Sequence, residues 1–147
     1  MPEKETVERA REDAREGKAP STQAGEFVRE EMHHIREGKH GAASPQQAIA
    51  IGLSKARRAG VELPPPRRGR KRTQKQARRD LAKGRHGRKR PSPARSHATS
   101  RALRREGRAA ATRRSLSRHA KKVARRRGPA ARSRSAKNAA RTRKKRR

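Results

Sequence analysis

Residues 44–61 read Ser44-Pro45-Gln46-Gln47-Ala48-Ile49-Ala50-Ile51-Gly52-Leu53-Ser54-Lys55-Ala56-Arg57-Arg58-Ala59-Gly60-Val61, and they carry the clearest folding instructions in the chain. Ser44 stands where a helix N-cap belongs, Pro45 at the first helical position and Gln47 at the third, the pattern of a capping box. Ile49, Leu53 and Ala56 then recur at helical spacing, flanked by Ala48 and Gly52. Lys55, Arg57 and Arg58 load the last turn with positive charge, which suits the negative end of the helix dipole. Gly60 is placed to take the left-handed conformation that stops a helix, and Val61 to fold back on the Ala56 turn.

Toward the N-terminus, residues 21–41 predict a second helix. Ser21 or Thr22 is the expected cap, with Glu26, Glu30 and Glu31 toward the positive end. Ala24, Val28, Met32 and Ile35 fall at i, i+4, i+8 and i+11 beside Phe27, one apolar stripe of helical period. Gly38 and Gly41 end it. The two helices predict a helical hairpin over 21–63 whose shared core is Phe27, Val28, Met32, Ile35, Ile49, Leu53 and Val61. At about 1.5–3 kcal/mol for each buried side chain, that core is thin, so self-association or docking of a protein partner through the hairpin is expected. Residues 1–20 read as a charged arm, a solvated helix with Val7 as its one sizeable apolar residue. Glu5 with Arg9, Glu8 with Arg11 and Glu12 with Arg15 are spaced to pair along it.

Beyond the hairpin the composition changes. Residues 64–147 hold 35 Lys or Arg and two acids, Asp80 and Glu106, for a net charge of 35 − 2 = +33; in residues 1–63, 11 basic and 11 acidic residues cancel. Apolar residues make up 27% of the chain, Phe27 is the only aromatic, and there is no Cys. Burial on this scale does not offset a backbone entropy of about 1–2 kcal/mol per ordered residue, and like charges resist collapse. The expected fold class is therefore mostly α with extensive disorder. A small helical hairpin over 21–63 precedes a basic, intrinsically disordered or transiently helical tail over 64–147. Pro64-Pro65-Pro66 reads as a linker that holds the tail away from the head. Residues 73–83 read as a short helix ended by Gly84. Residues 99–126 are helical on propensity, with Gly107 as a weak point and Gly128-Pro129 as the stop.

Arg outnumbers Lys 33 to 13, and guanidinium groups bind phosphate bidentately. A tail of this charge points to a polyanion. The cations expected to meet phosphate are Arg67, Arg68, Arg70, Lys71 and Arg72, then Arg88, Lys89 and Arg90, then Arg104 and Arg105. Arg113, Arg114, Lys121, Lys122, Arg125, Arg126 and Arg127 follow, and Arg143, Lys144, Lys145, Arg146 and Arg147 close the chain. The tail has no aromatic platform for stacking single-stranded bases and no zinc-finger, zipper or RNA-recognition pattern. The reading is sequence-independent binding of nucleic acid, DNA ahead of RNA, by a histone-like, nucleoid-associated protein acting through phosphate neutralisation. A ribosome-associated or RNA-chaperone role is one alternative; a protein-interaction module localised by its basic tail is another. Ser92-Pro93 and the Ser115–Ser117 run look like kinase motifs, but short basic Ser motifs arise by chance in such a tail.

Other classes find little support. No nucleophile pairs with a base, so the chain reads as a non-enzyme without cofactor. His33, His34 and His40 cluster beside Glu30 and Glu37, with Glu30–His34 and His33–Glu37 one turn apart, but without the HExxH spacing of a zinc site; surface polar residues are the expectation, and no metal. No apolar run approaches the roughly 18 residues of a membrane span, and the basic helices lack the apolar face of interfacial ones. The acidic start is no signal peptide, and the expected location is cytoplasmic.

The run Phe27-Val28-Arg29-Glu30-Glu31-Met32-His33-His34, the loop Gly38-Lys39-His40-Gly41 and the segment Gln47-Ala48-Ile49-Ala50-Ile51-Gly52-Leu53-Ser54-Lys55-Ala56-Arg57 together resemble a small bacterial domain family of uncharacterised function, over residues 26–61. The resemblance implies a bacterial setting and no activity. The tail separately resembles, in composition alone, the Ala-, Arg-, Lys- and Pro-rich tails of linker histones.

Overall fold

A computed structural model of the chain describes residues 2–87 and 92–145. These form α1 (Lys4–Arg15), α2 (Pro20–Arg36), α3 (Pro45–Arg58), α4 (Lys71–Arg85), α5 (Pro93–Arg105), a 3-10 turn (Ala109–Ala111) and α6 (Arg113–Lys145). They make two compact units, one ending at Thr112 and the other beginning at Arg113.

The hairpin is α2 against α3. The Ser44 hydroxyl accepts from the Gln47 N–H at 3.2 Å, and Gln47 Oε1 accepts from the Ala43 N–H at 2.7 Å, one residue earlier than a standard capping box. At the other end Gly60 has φ 100°. Val61 N–H reaches the Ala56 carbonyl at 3.1 Å and Gly60 N–H reaches that of Arg57 at 3.2 Å, which is the Schellman pair. α2 starts earlier than the sequence implies: Ala19 is its N-cap and Pro20 its first residue, with no side-chain cap, so Ser21 and Thr22 lie in the first turn. Phe27 and Ile35 are fully buried and Met32 and Val61 nearly so, whereas Val28, Ile49 and Leu53 are only partly covered. Alanine supplies much of the rest: Ala10, Ala24 and Ala56 cluster with Phe27 and Val61. Small residues let backbones approach, and at Gly52 a Cβ would stand 2.7 Å from Val28 Cα, so the crossing of α2 and α3 leaves no room for a side chain.

α1 is not a solvated arm. Thr6 and Ala10 are buried, and Arg9 Nε holds Glu26 Oε2 of α2 at 2.9 Å. Of the three pairs expected along the helix, only Glu5–Arg9, at 3.8 Å, forms among the described residues.

The expectation of extensive disorder beyond the hairpin is overturned, because 71–85, 93–105 and 113–145 are helical. Composition predicts how much apolar surface a chain can bury, but Ala, Arg, Lys, Gln and Leu also have the highest intrinsic helix propensities. Order here comes from propensity where packing is absent: α5 buries no residue at all.

α4 adds real packing. It lies against α3 with Ala77 and Asp80 buried. The proline run does not hold it off. Arg57 Nε donates to the Leu63 carbonyl at 3.0 Å and its Nη2 to that of Pro64 at 3.3 Å. Arg85 grips the Glu62 carboxylate through two nitrogens at 2.9 and 2.6 Å. Gly84 does not stop α4, which runs to Arg85; it is the close-contact residue, since a Cβ there would overlap the Arg57 carbonyl oxygen.

Residues 103–112 also return to the hairpin. The Gly41 N–H donates to the Leu103 carbonyl at 2.9 Å and the Ala42 N–H to that of Gly107 at 3.1 Å. Arg36 Nε donates to the Ala111 carbonyl at 3.0 Å, and Ala110 and Ala111 are buried. The helix expected over 99–126 is therefore broken: α5 ends at Arg105, and Gly107 lies in the break. In the second unit, Gly128 (φ 73°, ψ 166°) interrupts α6 before Pro129. The expected stop is a kink, with a second helical limb after it.

Candidate functional site

The cations singled out in the sequence fall into four places. Arg67, Arg68 and Arg70 precede α4, and Lys71 and Arg72 open it; Arg104 and Arg105 end α5. Arg113, Arg114, Lys121, Lys122, Arg125, Arg126 and Arg127 lie on the first limb of α6, and Arg143, Lys144 and Lys145 at the end of the second. Arg88, Lys89, Arg90, Arg146 and Arg147 lie outside the described residues. Every one of these side chains that is described is exposed, and among the described residues none is in an ion pair. Lys71, Arg72, Arg113 and Arg114 sit at positive helix ends, where cations are unfavourable until an anion arrives.

The second unit concentrates this charge. Residues 113–147 contain 17 Lys or Arg and no acid, so the net charge is 17 − 0 = +17. Arg114, Arg118, Lys121 and Arg125 recur at i, i+4, i+7 and i+11 and share one face of the first limb. At 1.5 Å per residue the stripe is about 17 Å long. Arg118 was not singled out in the sequence, although the helical period identifies it once the helix is placed. The opposite face is different: His119, Val123 and Arg127 line a cleft of about 360 Å³ together with Arg132 and Ser135 of the second limb. Ala120, Val123 and Ala124 of the first limb thus turn toward the second limb and leave the cationic stripe to solvent.

Several cations of the first unit are structural instead. Arg58 Nε lies 3.6 Å from Asp80. Burial pushes the Arg57 guanidinium below its ordinary pKa, and the charge of Asp80 opposes that shift. Asp80 was the tail's inconspicuous acid in the sequence. Here it is buried, accepting from Ser54 Oγ at 2.7 Å and Gln76 Nε2 at 3.1 Å, and it pins α4 to α3.

A second polar cluster surrounds Glu30 and Glu31 of α2. The side chains of Glu30 and Glu31 are 1% and 0% exposed. Lys55 Nζ lies 3.5 Å from Glu30 Oε1 and 2.6 Å from Glu31 Oε2. His40 Nε2 is 3.3 Å from Glu31 Oε1, and His40 Nδ1 lies 3.1 Å from the Gly41 carbonyl. His34 Nε2 contacts Glu3 Oε1 at 2.8 Å, and its Nδ1 faces Glu30 Oε1 at 3.9 Å. Hydrogen bonds from His34 and then Lys39 hold the Glu3 carboxyl below its usual range. The Glu3 N–H donates to Glu30 Oε2 at 3.2 Å, so the start of α1 closes the cluster. The grouping differs from the spacing argument: His33 is exposed, Glu37 pairs with Lys39 at 3.0 Å, and it is Glu31, His34 and His40 that converge.

Residues 19–68 match the model of a family of unknown function (DUF6496). The match takes in α2, α3 and the proline run, and it bears out the resemblance to a small uncharacterised domain family. No curated protein and no solved structure matches the chain. No helix among the described residues is long and apolar enough to cross a membrane.

Proposed function

We propose that this chain, with a domain of that unknown-function family at its head, binds nucleic acid through its phosphates without reading sequence, duplex DNA ahead of RNA. The observation that carries the reading is the second unit: 17 cations, no acid, and every described one exposed and without an ion-pair partner. Self-repulsion on such a helix is relieved when phosphate replaces solvent, and each contact releases condensed counterions. The stripe Arg114, Arg118, Lys121 and Arg125 is the first contact surface. Arg67, Arg68, Arg70, Lys71 and Arg72 form a second cationic patch, on the first unit.

Anisotropy titrations of the full chain with unrelated duplexes test this. The expected result is similar affinity for each and a log K that falls by about 0.9 per phosphate contact for each decade of salt. Strong preference for one duplex, or tight binding that ignores salt, overturns it. Equal titrations with structured RNA separate DNA from RNA.

A protein-docking role has one observation in its favour, a groove of about 610 Å³ edged by Leu53, Leu63, Pro64 and Ala77. Partner capture by the full chain that survives both nuclease treatment and high salt marks that reading.

A further inference from the structure

We infer that Glu31, His34 and His40 form a binding site for a divalent transition-metal ion of the zinc type, independent of the cationic surface. One ligand atom from each of the three lies within 4.8 Å of the other two. That is the spacing from which a single ion at ordinary Zn–N and Zn–O distances of about 2.0–2.2 Å reaches all three after small side-chain adjustments.

Tautomer and burial argue for the ion. His40 Nδ1 has the Gly41 carbonyl as its partner at 3.1 Å, an oxygen that only accepts, so this nitrogen carries a proton. In neutral imidazole that leaves Nε2 as a lone pair, and it faces Glu31 Oε1 at 3.3 Å. Two acceptors in contact at that distance need a cation between them, a second imidazole proton or a metal ion. His34 repeats the arrangement. Its Nε2 donates to the Glu3 carboxylate at 2.8 Å, which turns Nδ1 inward toward the buried acids. A ligating histidine held from behind by a carboxylate or a backbone carbonyl is the outer-shell arrangement of metal centres. The two rings meet edge to face with centroids 6.1 Å apart, so their planes do not block a shared ion. Glu31 adds to this: its side chain is fully buried, Oε2 meets the Lys55 ammonium at 2.6 Å, and Oε1, which faces His40 Nε2, receives no well-aligned hydrogen bond.

Lys55 fits this account as the competing cation. Its ammonium stands 2.6 Å from Glu31 Oε2 and 3.5 Å from Glu30 Oε1. With an ion on Glu31 Oε1, Lys55 retains Glu30 as its partner. Glu3, Glu30, Glu31 and Glu37 against Lys39 and Lys55 leave two negative charges when both imidazoles are neutral. A dication therefore supplies the same charge as two imidazolium protons and needs no further acid. Three protein ligands leave coordination positions for water.

The test uses the full chain, stripped with chelator, and Co²⁺ as the spectroscopic probe. A one-to-one visible ligand-field band, displaced by Zn²⁺, is expected. Glu31→Gln and His40→Asn should abolish it, with far-UV circular dichroism checking that the helices persist, and His33→Asn should leave it unchanged. Glu3→Gln, which removes the carboxylate behind His34 and beside Lys39, should weaken binding about 10- to 100-fold. Lys55→Gln, which removes the competing charge, should tighten it, an effect independent of whether the ligand variants fold. Absence of the band in the wild-type chain, equal loss in His33→Asn, or weaker binding in Lys55→Gln overturns the site and leaves His34 and His40 as charge partners for Glu3 and Glu31.

Discussion

Replacing Asp80 by Ala tests why α4 is part of the first unit. Asp80 is 1% exposed and accepts from Ser54 Oγ at 2.7 Å and Gln76 Nε2 at 3.1 Å, with Arg58 Nε at 3.6 Å. A hydrogen bond to a charged group contributes about 1.5–3 kcal/mol. Gln76 sits on α4 itself and is exposed, so it turns to water when Asp80 is gone, and its bond contributes little to docking. Ser54, half-buried on α3, and Arg57, whose buried charge loses the favourable charge of Asp80, do not recover so easily. The expected cost is therefore about 2–4 kcal/mol. It falls on the docking of α4 rather than on the α2–α3 hairpin. Amide exchange resolved by residue is the assay. Amides of 74–85 should exchange faster while those around Phe27 and Ile35 hold. In a double-mutant cycle with Ser54→Ala, urea unfolding should give a coupling of about 1–2 kcal/mol. A loss below about 0.5 kcal/mol, the range of an ordinary surface change, or exchange that quickens equally through α2 and α3, refutes the assignment.

Other perturbations follow from the same packing. Gly84→Ala raises intrinsic helix propensity by about 1 kcal/mol but drives a Cβ into the Arg57 carbonyl; exchange in α4 should quicken even though the substitution favours helix. Phe27→Ala empties the one aromatic position of the core, fully buried, and should cost about 3–5 kcal/mol in urea unfolding, enough to unfold so thin a core. Glu62, held below the ordinary value of 4.5 by its hydrogen bonds from Arg85, gives a signed pH effect. Its depressed native pKa means the stabilisation is complete above that ordinary value and lost as pH falls through the lower native one. Protection factors at the C-terminal end of α4, with the intrinsic pH dependence of exchange divided out, should fall on acidification through that window in wild type and not in Glu62→Gln.

The hairpin was legible because its signals are local and directional. Ser44 and Gly60 announce a start and a stop through backbone chemistry, and the stripe through Phe27 and Ile35 announces a face. The docking of α1 and α4 is not legible because it uses Thr6, Ala10, Ala77 and Asp80, residues that do not stand out in a hydrophobicity pattern, and α4 also relies on close backbone approach at Gly84. The return of 103–112 rests on backbone hydrogen bonds from Gly41 and Ala42, which no side-chain pattern encodes. Helix in the tail extends past the 73–83 and 99–126 segments that propensity marks, because low hydropathy and like charge limit burial but do not forbid helix. Ala and Arg keep the backbone helical without a core. In the polar cluster, the search for one-turn pairs selected Glu30–His34 and His33–Glu37. The loop over 38–43 brings His40 back to Glu31, a long-range closure that spacing along α2 does not contain.

The most direct test of phosphate binding compares salt slopes. The full chain and its Arg114→Gln, Arg118→Gln, Lys121→Gln, Arg125→Gln variant are titrated with one duplex over a series of salt concentrations. Loss of four phosphate contacts should make the slope of log K against log salt shallower by about 3–4, at about 0.9 for each contact, with the helices intact by circular dichroism. An unchanged slope in the folded variant contradicts the stripe as the contact surface, and a wild-type slope near zero contradicts phosphate binding itself.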